Sequence, residues 1–299
     1  MTTFVRSNIG YLARDPLYER ERPYAVAFPV GHIPGAKQSN HLFDDHVVNL
    51  NHVGDSTFDI NQAGFTIIKS PLPFTGGELA QEEFADEQYF KYMQRLILDA
   101  FPQYTRIVLI DTVHRKRNPA FPLREGTKVD LPQPLSVPHT DFTSTASQQL
   151  LEEIITARGY AGLDGLPWDQ LNLWRVLKGP NRDWPLAVCD GRSVNKEKDV
   201  LVNDIVLRDL PFTNTLLTYN KNHRWHFCDN QGTEDVLVFR NAASSGREVP
   251  SESYLTLSMV TRKLTLEVEA CWHAATNPYN VSVVEHMRES IEMRVFAFL

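Results

Sequence analysis

The chain has 299 residues, of which 42% are hydrophobic, 30 are lysine or arginine and 37 are aspartate or glutamate. This composition is that of a globular protein and excludes collagen, a coiled coil and wholesale disorder. The formal net charge is −7 and there is no basic stripe, so we expect no nucleic-acid partner. No run of about 18 apolar residues is present, so we expect no membrane-spanning helix.

The cysteines and the start of the chain predict a cytoplasmic protein. Cys189, Cys228 and Cys271 are an odd number and lie far apart, which fits neither a disulfide framework nor a zinc site. The first 15 residues lack the charged segment followed by an apolar segment that marks a secretory leader.

The first third of the chain is predicted to form loops and a helical layer, residues 1–104. Residues 1–55 are rich in Pro, Asn, Asp and His with little periodicity, which indicates loops and short elements. A short strand is predicted at 65–68. Apolar residues at helical spacing predict a helix over 86–100.

From residue 105 onwards the pattern changes to strands, which predicts a jelly-roll core over 105–299. One helix is expected at 147–158, with Gly159 ending it. The predicted strands are 107–110, 171–177, 186–189, 215–219, 236–239, 254–259, 264–268 and 291–298. Strands and helices do not alternate, so the prediction is one mainly β domain over 1–299, a β-sandwich or jelly roll with flanking helices.

The segment Pro138-His139-Thr140-Asp141 carries the clearest chemical signal. Two residues separated by one position on an extended strand point to the same side, so His139 and Asp141 could bind one metal ion. A non-haem Fe(II) oxygenase needs two histidines and one carboxylate on one face of an octahedral site.

Two histidines could complete such a site, His223 and His273. A jelly-roll oxygenase places the second histidine on the penultimate core strand. Several predicted strands follow His223, whereas one predicted strand, 291–298, follows His273. Strand order therefore favours His273.

Arg288 and Ser290 open the last predicted strand and share one side of it. A guanidinium group and a hydroxyl group could together hold a carboxylate. Arg294 lies on the same side but about 20 Å further along the strand, at ~3.3 Å per residue, too far for the same task. The alternative for either arginine is a surface ion pair with Glu289 or Glu292.

From about residue 59 to the end, the sequence resembles the oxygenase family that includes gibberellin desaturase, the cephamycin hydroxylation component and the aspergillic-acid hydroxylase/desaturase. The resemblance covers about four fifths of the chain. The matching segments, in the family's order, are 137–143, 171–175, 179–180, 183–190, 219–225, 235–239, 273–275, 277–278 and 288–294.

The resemblance implies a double-stranded β-helix that uses Fe(II), 2-oxoglutarate and O2. By resemblance, the metal ligands are His139, Asp141 and His273, and Arg288 with Ser290 binds the 2-oxoglutarate carboxylate. The chain departs from the family in an insert at about 245–270, predicted as two extra strands. Residues that could line the substrate pocket are Asn172, Tyr219, His223 and Trp225, although a packed Trp225 beside a hydrogen-bonded His223 is an equal alternative.

The predicted function is hydroxylation, desaturation or cyclisation of a small-molecule secondary metabolite. Two alternatives remain open: a cupin-like metal-dependent dioxygenase or isomerase that does not use 2-oxoglutarate, and a jelly-roll binding protein without catalysis. The sequence leaves open the substrate, the choice among the three reactions and the oligomeric state.

Overall fold

A computed structural model describes residues 4–54, 58–123, 127–209, 211–246, 270–279 and 286–299. The two strands predicted at 254–259 and 264–268 lie outside the described residues. None of the helices in the described ranges combines the length and the apolar character that crossing a membrane requires.

The described residues form fourteen strands. In chain order these are β1 (Phe4–Leu12), β2 (Tyr24–Val26), β3 (Phe43–His52), β4 (Phe65–Lys69), β5 (Arg106–Lys116), β6 (His139–Thr140), β7 (Trp168–Val176), β8 (Leu186–Cys189), β9 (Val200–Val206), β10 (Phe212–Leu217), β11 (Trp225–Phe227), β12 (Asp235–Ala243), β13 (His273–Ala275) and β14 (Glu289–Phe298). The large sheet has the order β1-β3-β11-β8-β13-β6-β10-β9-β2, and the small sheet has the order β4-β12-β7-β14-β5.

The described residues also form six α-helices. They are α1 (Ile60–Ala63), α2 (Gly76–Leu79), α3 (Glu82–Phe84), α4 (Phe90–Ala100), α5 (Ser144–Arg158) and α6 (Lys196–Asp199). A π-helical turn, Ala85–Tyr89, leads into α4, and 3₁₀ turns lie at Pro16–Glu19, Gly191–Ser193 and Ser244–Gly246.

The two sheets face each other across a shared core. Val188 of the large sheet belongs to the same buried cluster as Leu237 and Phe239 of β12. The alternate residues of β12, Val236 and Val238, pack instead with the helical layer. The small sheet is therefore buried on both faces, which explains the nearly continuous apolar run along β12.

The predicted helix at 86–100 is confirmed, with its first turn wound as the π-helical turn. Tyr89, Met93 and Ile97 recur every four residues, are fully buried, and cover the outer face of the small sheet.

The second predicted helix is also confirmed, as α5. The Thr143 side chain accepts a hydrogen bond from the Ala146 N–H at its start. Gly159 ends the helix with φ 67°, in the left-handed region that favours glycine.

The prediction of loops and short elements for residues 1–55 is wrong for β1 and β3, which pair along nine residues. Buried residues alternate along both strands, such as Ile9 with Tyr11 and Val48 with Leu50, but Asn and Asp residues of low strand propensity lie between them. Pairing within the large sheet stabilises these strands despite the weak local signal. Two facing sheets with helices packed outside them confirm the predicted mainly β jelly roll.

Candidate metal centre

The structure brings together the three residues predicted as metal ligands, called the metal triad below: His139, Asp141 and His273. His139 begins β6, Asp141 directly follows this strand, and His273 begins the neighbouring β13. One ligand atom from each of the three residues lies within 4.8 Å of the others. The Asp141 Oδ1 atom is 3.6 Å from His139 Nε2 and 3.9 Å from His273 Nε2, and the three side chains are at most 11% exposed.

The protonation of the triad suits a cation. His139 Nδ1 lies 2.7 Å from the Val137 carbonyl, which can only accept, so Nδ1 carries a proton and Nε2 is the ring nitrogen that faces the triad. Burial and the neighbouring His139 lower the pKa of His273 to about 3, so this imidazole is neutral. Burial alone would raise the pKa of Asp141, but the adjacent His139 and the charge of Arg294 hold it well below its usual value.

Asn172, one of the residues predicted to face the pocket, contacts the triad directly. It lies on the inner face of β7 and donates a 2.6 Å hydrogen bond from Nδ2 to Asp141 Oδ2. A second buried asparagine, Asn241 of β12, accepts a 2.5 Å hydrogen bond from the Asp141 backbone N–H.

Arg288 of the predicted carboxylate clamp lines the same small cavity as the triad, called the triad cavity below, and Ser290 lies beside Arg288. The Arg288 guanidinium is buried 4.9 Å from the centre of the Trp174 ring, donates to the Trp184 carbonyl at 2.8 Å, and has Nε 3.4 Å from the Ser290 hydroxyl. No carboxylate of the described residues lies within ion-pair distance of it. Burial and the charge of Arg115 lower its pKa to about 9.

Two charged residues of the triad cavity were missed by the sequence analysis, Arg115 and Glu292. Glu292 follows Arg288 and Ser290 at even spacing on β14, so the same alternation could have identified it. Arg115 lies on β5 directly opposite Ser290, and this pairing has no local sequence signal. The Arg115 Nε atom is 3.9 Å from Glu292 Oε2.

Arg294 takes neither of the partners considered for it. It forms a bidentate ion pair with Asp111, with Nε 2.7 Å from Oδ1. Its Nη1 atom is 3.6 Å from Asp141 Oδ2. Glu289 pairs instead with Lys178 at 2.9 Å.

The remaining three predicted pocket residues lie in a separate aromatic cluster around Tyr11. His223 is held between Asp199, 3.2 Å from its Nε2, and the Tyr11 hydroxyl, 3.3 Å from its Nδ1. Trp225 donates to the same hydroxyl at 2.6 Å, and Tyr219 stacks on His46 with ring centres 3.8 Å apart. Trp225 is fully buried and packs with Ala187 and Cys189, on the opposite face of β8 from Val188. Hence His273, and not His223, joins His139 and Asp141.

A second cavity of about 970 Å³, called the large cavity below, reaches the residues on both sides of Asp141. Its lining includes the aromatic residues Phe142, Phe212 and Trp272, the valines Val200, Val202 and Val206, and the hydroxyl-bearing residues Thr140, Thr143, Ser144, Thr145, Thr213 and Thr215.

Comparison with known proteins assigns the family. The family model YDMC, described as "Oxidoreductase/YMDC permease-like domain", matches residues 9–298. The chain belongs to this family.

Curated relatives are fungal. The "Fe(II)/2-oxoglutarate-dependent dioxygenase nvfI" of Aspergillus novofumigatus (strain IBT 16806) is 24% identical over 250 residues, which cover 80% of this chain and 81% of that protein. The "Aspirochlorine biosynthesis protein N" of Aspergillus oryzae (strain ATCC 42149 / RIB 40) is 26% identical over 132 residues, 43% of this chain and 47% of that protein.

Solved structures share the fold. The iron and alpha-ketoglutarate-dependent endoperoxidase NvfI has a TM-score of 0.75 at 21% identity, over 99% of this chain and 98% of that chain. A tryptophan-to-phenylalanine variant of that endoperoxidase has a TM-score of 0.78 at the same identity, over 100% of this chain and 98% of the variant. These comparisons confirm the predicted class: the chain is an oxidoreductase, and its relatives and structural neighbours include Fe(II)/2-oxoglutarate-dependent oxygenases.

Proposed function

We propose that the protein is an Fe(II)/2-oxoglutarate-dependent oxygenase in which His139, Asp141 and His273 hold the iron. The observation that carries this proposal is the triad itself, because two imidazoles and one carboxylate converge in a nearly buried site. This donor set fits the two-histidine, one-carboxylate face that leaves three positions of an Fe(II) ion open.

Arg288 and Ser290 hold the distal carboxylate of 2-oxoglutarate in this proposal. A buried guanidinium group without a carboxylate partner in the described part of the chain is costly unless an anion binds beside it. Arg288 lines the triad cavity, so an anion bound there can also reach the metal triad. Arg115, in the same cavity, adds a second positive charge, part of which Glu292 offsets.

When bound, Fe(II) with 2-oxoglutarate and O2 supplies the oxidation of a substrate C–H bond. The protein residues orient and shield the reactants. Val137 fixes the tautomer of His139, Arg288 orients the cosubstrate, and the aromatic wall of Trp174 keeps water away from the guanidinium. Hydroxylation, desaturation or cyclisation of a small molecule follows from this chemistry.

The large cavity is the proposed substrate site, in place of the cluster around Tyr11. Its volume of about 970 Å³ suits a small organic molecule, and its lining includes Thr140 and Phe142, the chain neighbours of Asp141. The lining combines aromatic and aliphatic residues with hydroxyl groups and the charged residues Arg22, Lys196 and Asp204, which favours a substrate with both apolar and oxygen-bearing parts. His223 and Trp225 are already hydrogen-bonded to the Tyr11 hydroxyl, and Tyr219 is stacked on His46.

We also infer the subfamily, the domain organisation and the cellular location of the protein. Within the oxygenases, the protein is related to the gibberellin desaturase group, because its sequence segments resemble those of that group. Residues 1–299 form a single oxygenase domain, supported by the shared sheet of β1, β3, β6 and β13. The location is cytoplasmic, consistent with three free cysteines.

The experiment measures conversion of 2-oxoglutarate to succinate by NMR, with and without Fe(II), under air. We expect slow, Fe(II)-dependent succinate formation that an oxidisable substrate accelerates. Tight Fe(II) binding without succinate, even when candidate metabolites are added, would favour the dioxygenase or isomerase that does not use 2-oxoglutarate. Absence of Fe(II) binding would favour the jelly-roll binding protein without catalysis, and the proposal would be wrong.

A further inference from the structure

We propose that Asn172 is a positioning residue that keeps Asp141 a one-oxygen metal ligand, and that Glu292 holds Asn172 in the orientation needed for this. The inference rests on the proposed function and deepens it, because it states how the chain keeps coordination positions open.

The Asn172 side chain is fully buried and its amide group lies between two carboxylates. Its Nδ2 atom donates to Asp141 Oδ2 at 2.6 Å and to Glu292 Oε1 at 2.8 Å. Asp141 Oδ2 accepts from this amide, which must therefore present its NH2 group, and Glu292 Oε1 accepts from the same group. The two hydrogens of that group are thereby both used.

The two oxygens of Asp141 consequently face different partners. Oδ2 receives the Asn172 hydrogen bond, with the Arg294 guanidinium at 3.6 Å beyond it. Oδ1 is the atom that faces the imidazole nitrogens, at 3.6 Å from His139 and 3.9 Å from His273. The geometry therefore offers one carboxylate oxygen to an ion held by both histidines.

Binding through one oxygen of Asp141 determines how many coordination positions of the ion stay open. An octahedral ion bound by two histidines and one carboxylate oxygen keeps three open positions. A 2-oxo acid that chelates through its keto and carboxylate oxygens occupies two, which leaves one for O2. If Asp141 rotated and bound through both oxygens, it would take one of these three positions. The hydrogen bond from Asn172 opposes that rotation.

Glu292 is the residue that fixes Asn172. It lies on β14, next to β7 in the small sheet, and is almost fully buried. Its other oxygen, Oε2, faces Arg115 at 3.9 Å. Arg294 is a weaker candidate for holding Asp141, because its short contacts go to Asp111.

The test compares Asn172→Ala and Asn172→Asp with Asn203→Ala. Asn203 is the matched control, because it is a buried asparagine that hydrogen-bonds to Asn214 and His41 at 2.7 Å each and lines neither cavity. Anaerobic Fe(II) titration gives the affinity. The visible spectrum of the Co(II)-loaded protein reports coordination number independently of turnover.

We expect both Asn172 variants to lose Fe(II) affinity by about 10- to 100-fold and to change the Co(II) spectrum, since groups that orient metal ligands have effects of this size. In the variants that still turn over, the apparent KM for 2-oxoglutarate should rise more than kcat falls. Glu292→Gln keeps an acceptor oxygen for Asn172. Its Fe(II) affinity and Co(II) spectrum should therefore stay much closer to those of wild type than those of Glu292→Ala. Asn203→Ala should bind Fe(II) within about threefold of wild type.

Thermal unfolding of the metal-free proteins separates positioning from folding. A loss of affinity in Asn172→Asp at a Tm no lower than that of Asn203→Ala supports the proposal. Wild-type affinity and an unchanged Co(II) spectrum in both Asn172 variants would overturn the proposal. It would also be overturned if Fe(II) affinity fell in proportion to Tm to the same extent in the Asn172 and Asn203 variants. If the wild-type protein itself binds no Fe(II), the proposed function fails instead.

Discussion

His273 of β13 is the antiparallel cross-strand partner of His139 of β6, and their ring centres are 4.3 Å apart. The pairing places both imidazoles on the inner face of the large sheet, where the His273 ring packs against Phe239 of the small sheet. Two histidines distant in the chain thus become neighbours through strand register alone, and Asp141, just beyond β6, completes the group.

The two histidines considered from the sequence should respond differently to substitution. We expect His273→Ala to lose Fe(II) binding, and His223→Ala to keep it while lowering thermal stability, because His223 bridges Asp199 and Tyr11 in a buried cluster. The measurement is anaerobic Fe(II) titration with the charge-transfer band that appears on adding 2-oxoglutarate. A band lost in His223→Ala and kept in His273→Ala would contradict the assignment.

Asp141→Ala should abolish turnover and weaken Fe(II) binding sharply. Asp141 is the carboxylate of the triad and supplies its negative charge to the ion. Fe(II) affinity of the variant and wild type, measured anaerobically, checks this. Full activity with unchanged affinity would remove Asp141 from the triad.

Arg288→Ala should raise the apparent KM for 2-oxoglutarate far more than Arg294→Ala does. Leaving a buried charge without its partner costs about 3–5 kcal/mol, which is more than a hundredfold in affinity. Arg294 is already paired with Asp111, so its loss should act on Asp141 and only indirectly on the cosubstrate. Steady-state kinetics with 2-oxoglutarate as the varied substrate decides between them, and a larger effect of Arg294→Ala would move the clamp to Arg294.

His226 should make the metal-free protein less stable in mild acid. Burial against Phe58 and Phe65 lowers the pKa of His226 to about 4. Between pH 6.5 and 4 the unfolded chain takes up a proton at this histidine that the folded protein does not, so stability falls as pH falls, by up to about 3 kcal/mol.

His226→Phe should therefore lose part of this pH dependence and unfold at a higher temperature than wild type at pH 5. The exposed His32 offers the control, since His32→Phe should retain the wild-type dependence. If the plots of Tm against pH for His226→Phe and wild type are parallel, His226 does not contribute to the loss of stability in mild acid.

The sequence determined those features whose signal lies within a few residues. The spacing of His139 and Asp141 predicted that both side chains could reach one ion, and alternation along 288–294 predicted that Arg288 and Ser290 share one side of the chain at the start of β14. Helices α4 and α5 followed from apolar residues at helical spacing, with Gly159 as a stop. Each of these depends on backbone periodicity, which local residues express directly.

Which distant residues meet depends on strand pairing and sheet packing. Pairing of β13 with β6 brought His273 to the triad, while the Tyr11 cluster took His223. Pairing of β5 with β14 brought Arg115 opposite Ser290, and facing of the two sheets brought Asn172 to Asp141. The strands β1 and β3 likewise form because the large sheet supplies hydrogen-bonding partners and buried contacts that outweigh their weak propensity. Register and sheet packing are properties of pairs of segments, so no single segment of the chain encodes them.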